Sequence, residues 1–209
     1  MIRNIVFDLG NVLLSWNPGD FLLQSGYGEE TARLILRTVF RSQAWLSLDN
    51  GDITKEEAID IIASESLLKR DQIESLFNLC AQIIFPLHDN IKLLPELKKQ
   101  GFKLYYLSNY PLEFFNETKS KYDFFKYFDG GIISAEVNKS KPDPDIYRIF
   151  LERFRLDPFE CLYIDDIDLN VRSAELTGMK VIHLASSGSL KNKLLEVGLD
   201  LRIASLRSQ

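Results

Sequence analysis

The sequence has only two cysteines and two histidines, no excess of positive charge and no long apolar run, and each shortage removes a class of answer. Cys80 and Cys161 lie far apart, each inside an apolar-rich stretch. That excludes a disulfide framework, speaks against a zinc site, and makes both buried reduced thiols. His88 and His183 show no triad or metal-ligand spacing and are expected to be structural. With 25 basic against 30 acidic residues the net charge is −5, so no broad electrostatic footprint for nucleic acid is expected. Nothing approaches eighteen uninterrupted apolar residues, and no basic segment leads into an apolar stretch and a cleavage site. A soluble, cytoplasmic protein with no membrane partner is the expectation.

What the chain does have is apolar mass, 45% of its residues, arranged in two different periodicities. Ile2 to Phe7 has strand character. From about Ser15 to Phe85 the pattern is helical throughout: Thr31 to Phe40, Lys55 to Ser64 and Gln72 to Ile84 each repeat apolar residues at helical spacing. Thr54-Lys55-Glu56-Glu57 is a capping-box start, and Asn50-Gly51-Asp52 a turn. After Pro86, helices and strands alternate. The helices are Asn90 to Gln100, Pro144 to Phe154, Asp168 to Thr177 and Ser189 to Val197, with helical segments from Leu112 to Phe128; the strands are Phe102 to Leu107, Gly131 to Ser134, Cys161 to Ile164 and Lys180 to His183. Such alternation implies an α/β fold with one five-stranded parallel sheet. The separation of the first two strands is far longer than one crossover requires, so residues 15–86 are read as an inserted, all-helical cap subdomain. Residues 1–14 and 87–209 form the α/β core, with the last residues, Ala204 to Gln209, expected to fray.

In open parallel sheets ligands bind beyond the carboxyl ends of the strands. Four polar segments fall there: Asp8 after the first strand, Ser108-Asn109 after the second, Lys141 before a helix, and Asp165-Asp166 after the fourth. Alone, each has an ordinary explanation. An Asp before Gly is usually a turn residue, Ser-Asn before Tyr-Pro is common turn chemistry, and a lone lysine such as Lys139 is usually solvated. Two adjacent carboxylates, however, need a cation or a shifted pKa to coexist, and a hard oxygen set with Asp8 suits Mg²⁺. Asp143 and Pro144 look like an N-cap and first helical residue, and Asp168 like the cap of the helix after Asp165-Asp166.

Taken in order, Phe7-Asp8-Leu9-Gly10-Asn11-Val12-Leu13, Leu107-Ser108-Asn109, Lys139-Ser140-Lys141-Pro142-Asp143-Pro144 and Tyr163-Ile164-Asp165-Asp166 resemble the four motifs of the haloacid dehalogenase superfamily of phosphohydrolases. The likeness covers nearly the whole chain and implies that superfamily's Rossmann-like fold with its first type of helical cap. It implies Asp8 as nucleophile, forming an aspartyl-phosphate that water hydrolyses, with Ser108 and Lys141 assisting. Asn11, Ser108, Asn109 and Lys141 would contact the substrate phosphate. Asp8, the Gly10 carbonyl and Asp166 would ligate Mg²⁺, while Asp165 would either ligate it or support those that do, with Asn170 beside it. The substrate would be a small phosphorylated metabolite, and the protein a monomer or weak homodimer.

One position departs from the superfamily pattern. Most of its phosphatases carry a second Asp two residues after the nucleophile, where this chain has Gly10, so the usual proton donor is missing. That directs the expectation toward activated esters such as sugar 1-phosphates or acyl phosphates, or toward a cap residue that supplies the proton. Asp-Leu-Gly-Asn-Val also resembles the branch containing a glucose-1-phosphate phosphatase and the N-terminal domain of epoxide hydrolases. Trp16, Asn17, Trp45, Asp49 and Asn50 are the cap residues that can face the cleft, although aromatics in helices usually serve the core. The alternatives are a metal-independent 2-haloacid dehalogenase using the same Asp8, and a non-catalytic phospho-ligand-binding module.

Overall fold

A computed structural model describes residues 1–185 and 189–199, the side chain of residue 81 excepted. The expected fraying of residues 204–209 lies outside them. The described elements are β1 (Asn4–Phe7); α1 (Pro18–Gln24), α2 (Glu29–Ile35), α3 (Gln43–Asn50), α4 (Lys55–Glu65) and α5 (Arg70–Ile83); α6 (His88–Ile91) and α7 (Leu94–Lys99); β2 (Lys103–Ser108), α8 (Leu112–Lys121), β3 (Gly130–Ile133), α9 (Pro144–Phe154), β4 (Cys161–Asp165), α10 (Asp168–Glu175), β5 (Lys180–His183) and α11 (Leu190–Glu196).

The five strands form one parallel sheet in the order β3-β2-β1-β4-β5. From β1 the chain builds outward on one side through β2 and β3, then crosses to the other side for β4 and β5. β1 therefore sits at the topological switch point, where a crevice opens at the strands' carboxyl ends. Register fixes what stands there: Phe7 pairs with Tyr106 and Ile164, and the Asp8 amide continues the ladder to the Ile164 carbonyl at 2.8 Å. Both faces of the sheet are covered, so its central strands β1, β2 and β4 carry near-continuous apolar runs rather than alternating ones. Val6, Tyr105, Leu107 and Tyr163 pack beneath Ile146, Tyr147 and Phe150 of α9. Ile5, Phe7, Leu104 and Ile164 face the opposite way, in one apolar cluster that continues through Leu94 and Phe115 into Trp45, Ile59, Ile73 and Phe77 of the helical segment.

That segment leaves and rejoins the sheet through two adjacent strands of chain. Ser15 N–H donates to the Phe85 carbonyl and Leu87 N–H to the Leu13 carbonyl, both at 2.8 Å, and the Ser15 hydroxyl donates to the Ile83 carbonyl at 2.6 Å. Within it α4 starts on the expected capping box: Thr54 N–H donates to Glu57 and Glu57 N–H to the Thr54 hydroxyl.

Several sequence expectations need correction. Thr31 to Phe40 is not one helix; α2 gives way to a π-helical turn at Leu36–Phe40. Asn90 to Gln100 is divided into α6 and α7, because Pro95 has no N–H to donate and fits only the first turn of a new helix. The helical segments expected from Leu112 to Phe128 are α8 and a 3₁₀ segment, Asp123–Tyr127, and need no correction. Asp168 does not cap α10. It is the first helical residue and pairs with Arg172 at 2.7 Å, while the Ile167 amide that opens this turn donates to Asp165 at 2.8 Å. Asp143, as expected, caps α9 with Pro144 at its start.

Candidate active site

Asp8, Gly10, Asn11, Ser108, Asn109, Lys141, Asp166 and Asn170 line one cavity of about 270 Å³ at the carboxyl ends of β1, β2 and β4. Lys141 is the hinge of its charge. Its ammonium is almost wholly buried and lies 2.9 Å from Asp8 Oδ1 and 2.7 Å from Asp165 Oδ2, and it donates to the Leu107 carbonyl at 3.0 Å. Burial works against that charge, but Asp8 and Asp165 outweigh it and push the ammonium above its ordinary range. Asp165 is itself fully buried and saturated: besides Lys141 it accepts from Tyr163 Oη, the Ile167 amide and Asn170 Nδ2. Burial would raise its carboxyl, yet Lys141 holds it below the usual range. Asp8 shows the opposite balance. Its burial outweighs Lys141, aided by the charge on Asp165, and its carboxyl is raised to about 7.

Asp166 stands apart from the lysine. It accepts from Asn11 Nδ2 at 3.0 Å, and burial raises it despite that hydrogen bond. Asn11 has φ near 52°, a left-handed conformation that Asn tolerates better than most; its Oδ1 accepts from the Trp16 amide at 3.0 Å. Asp8, Asp165 and Asp166 each bring a carboxylate oxygen within 4.8 Å of the others'. Three carboxylates facing one lysine leave two negative charges in excess, which a divalent cation with oxygen ligands would balance. The donor set therefore fits Mg²⁺.

The Ser108 hydroxyl ends β2, buried, and hydrogen-bonds Asp8. Asn109 does something the sequence did not announce. Its Oδ1 accepts from the Lys141 amide at 2.8 Å and its Nδ2 donates to the Lys141 carbonyl at 2.9 Å, clamping the backbone that carries the lysine. Tyr163 was also missed, although as the second residue before Asp165 on a strand it had to share that residue's face. His183 Nε2 meets the Asp166 carbonyl at 2.9 Å, and Cys80 and Cys161 are free, buried thiols raised by burial to about 12. Lys139 is half-exposed and pairs with Asp143 and Asp145.

The far wall of the cavity is apolar and comes largely from the helical segment: Leu14, Trp16, Trp45, Leu46 and Ile84, with Tyr110, Pro111 and Phe114. Trp45 stacks on Trp16 at 5.7 Å and on Phe114 at 6.1 Å, so these rings serve both core and cavity. Asp49 lies among them. Asn17 and Asn50 do not line this cavity; Asn17 caps α1, and Asn50 bonds Asp52 and Ser140.

The order of these groups along the chain matches a known pattern: the family model for haloacid dehalogenase-like hydrolases matches residues 2–176. The chain belongs to that family. Among relatives of this haloacid dehalogenase-like hydrolase is a sesquiterpene phosphatase of Aspergillus oryzae, 28% identical over 87% of this chain and 89% of its own. The bifunctional epoxide hydrolase 2 of Rattus norvegicus is 24% identical over 86% of this chain but only 33% of its own, so the hydrolase described here spans about a third of that protein. Its fold is that of a haloacid dehalogenase family enzyme of Bacteroides thetaiotaomicron solved with magnesium and inorganic phosphate, at a TM-score of 0.71 and 21% identity, covering 92% of this chain and 98% of that one.

Proposed function

We propose that this hydrolase is a Mg²⁺-dependent phosphomonoesterase that works through an aspartyl-phosphate on Asp8, with residues 15–86 acting as a cap subdomain over the site. The observation that carries this function is Lys141 bridging Asp8 and Asp165 while Asp166 completes the same carboxylate group. A carboxylate group of three suits a reaction assisted by a divalent cation, which displacement of halide from carbon does not need. The magnesium phosphate complex of the Bacteroides enzyme and the phosphatase name of the Aspergillus relative agree with it.

An Asp8 carboxylate oxygen attacks phosphorus, the bond to the ester oxygen breaks, and the phosphoryl group rests on Asp8; water then displaces it as inorganic phosphate. Lys141 favours the Asp8 anion against the effect of burial and offsets the charge that gathers on the phosphoryl oxygens. The Ser108 hydroxyl and the Asn109 and Asn11 amides serve as donors to those oxygens, and the Asn109 clamp fixes the lysine before substrate arrives. Asp8, the Gly10 carbonyl and Asp166 would hold Mg²⁺, with Asp165 orienting Lys141 beside them; when bound, the ion supplies positive charge to the phosphoryl oxygens. The apolar wall suits a substrate whose organic group is itself apolar or aromatic.

Phosphate release should be measured from para-nitrophenyl phosphate, acetyl phosphate, sugar 1- and 6-phosphates and an alkyl phosphate, with Mg²⁺ and then with EDTA. Release that needs Mg²⁺ and falls at least about 10⁴-fold in Asp8→Asn, with the fold intact by circular dichroism, is expected. An active Asp8→Asn protein would remove the nucleophile. No release from any ester with Mg²⁺ present would defeat the function itself, and halide release from a 2-haloacid would then replace it.

A further inference from the structure

Resting on the phosphatase function above, we propose that Asp49 of α3 is the general acid and base for the reaction, in place of the side chain missing at Gly10. The cavity is lined by five titratable groups: Asp8, Asp49, Tyr110, Lys141 and Asp166. Four are committed elsewhere. Lys141 is locked between Asp8 and Asp165, Asp166 accepts from Asn11, and Tyr110 pairs its hydroxyl with Thr118 while burial raises it beyond any useful range. Asp49 remains, on the part of the lining that the helical segment contributes.

Its position is fixed from both sides. The last carbonyls of a helix need outside donors, and for α3 the sheet side supplies them. The Ser134 hydroxyl donates to the Asp49 carbonyl, Asn138 Nδ2 donates to the Gly51 carbonyl at 3.0 Å, and the Ser140 hydroxyl donates to Asn50 Oδ1 at 2.9 Å. Ser134 Oγ also accepts from the Tyr110 amide at 2.9 Å. The end of α3 is thereby tied to the two loops that carry Ser108-Asn109 and Lys141. Facing the carboxyl are the Trp45 side chain, which hydrogen-bonds it from the same helix, Cys80 of α5 and Tyr110 after β2; the last two are neutral at pH 7. Burial raises Asp49 to about 7, partly offset by Trp45, which suits a group that must both give and take a proton near neutrality.

The proton balance closes. As the Asp8 oxygen bonds phosphorus and the ester P–O bond breaks, the leaving oxygen takes the Asp49 proton and departs as an alcohol. The Asp49 carboxylate then takes a proton from water as that water attacks phosphorus, the Asp8–phosphorus bond breaks, and inorganic phosphate leaves with Asp8 and Asp49 restored.

The test is single-turnover phosphoryl transfer, with Mg²⁺, from hexyl phosphate and from para-nitrophenyl phosphate to wild type and Asp49→Asn. Transfer from the hexyl ester, whose alkoxide leaves poorly, should fall about 10²–10⁴-fold, and from the nitrophenyl ester by no more than about tenfold. The wild type should lose hexyl phosphate transfer as pH rises through about 7, and the variant should not show that limb. Restoring a carboxyl at position 10 supplies an independent arm. A Cβ there meets only Trp16 Cβ, at an ordinary 3.9 Å, so Asp49→Asn/Gly10→Asp should recover at least about tenfold on the hexyl ester. Equal losses on both esters, or no loss on the hexyl ester, would overturn the role of Asp49 alone. A wild type inactive on both would overturn the phosphatase function and this role with it.

Discussion

The strand ends and the end of α3 hold the carboxylates in and behind the cavity, and Asp165 behind the strand ends and Asp49 on α3 are held under opposite conditions. At the strand ends, Asp165 is matched to donors on every side, and Lys141 is shared between two acids. At the end of α3 the backbone is densely tied, but the Asp49 carboxyl is held by the Trp45 side chain of its own helix. Charge that must stay put is saturated with hydrogen bonds; charge that must change is left lightly held. Asp165 is fully buried and Asp49 only partly, so the two regions differ in solvent access as well as in donors.

The sharpest way to break that contrast is to strip the strand-end side of its one cation. Lys141→Met keeps the stem's bulk and leaves Asp8 and Asp165 buried without a counter-charge. Removing one partner of a buried ion pair costs about 3–5 kcal/mol. Urea unfolding at pH 7 in EDTA should show a loss of that order, together with loss of phosphate release. A loss below about 1 kcal/mol would mean that the buried carboxylates are already compensated by their hydrogen bonds.

The same contrast explains what the sequence disclosed. Asp8, Ser108 and Asp165 were legible because a buried parallel strand leaves its first polar residue one place to go, and register brings neighbouring strand ends together; Lys141, in the loop between β3 and α9, was placed by its likeness to the superfamily's motif. The sheet followed from the same alternation. Helix interruptions were not legible at Leu36–Phe40, where helical periodicity persists through a π turn, but Pro95 was a visible signal left unused. The Asn109 clamp on Lys141 joins residues 32 positions apart with no periodicity between them. Asp49 and Trp16 were named only among several cap residues. Which of them reach the cavity depends on how α3 docks, and that is decided by Ser134, Asn138 and Ser140, unremarkable polar residues in a distant loop.

A middle-sized effect should come from the docking itself. Gly51 has φ near 77°, and a Cβ there would lie 2.6 Å from the Ala135 carbonyl oxygen. Both the conformation and the close approach require glycine. Gly51→Ala should cost about 1–3 kcal/mol in urea unfolding, and it should slow hexyl phosphate transfer more than nitrophenyl phosphate transfer, because it displaces the end of α3 and not the strand ends. Equal slowing would show that the α3 end has no separate part in the chemistry.

The last effect is one of stability, and it isolates Asp49 from catalysis altogether. Its carboxyl is raised to about 7 in the fold, from an ordinary value of 3.8. Between those values the folded protein keeps a proton that the unfolded chain releases, so the stabilisation held below about pH 4 is lost as pH rises toward and through 7. Asparagine carries no charge at any of these pH values. In EDTA, Asp49→Asn should therefore melt close to wild type at pH 4 and above it at pH 8, while the contribution of Asp8, present in both proteins, cancels in the difference. A melting difference that does not change with pH would mean that the Asp49 carboxyl is as well solvated in the cavity as in the unfolded chain, and the contrast with the saturated strand ends would lose its physical basis.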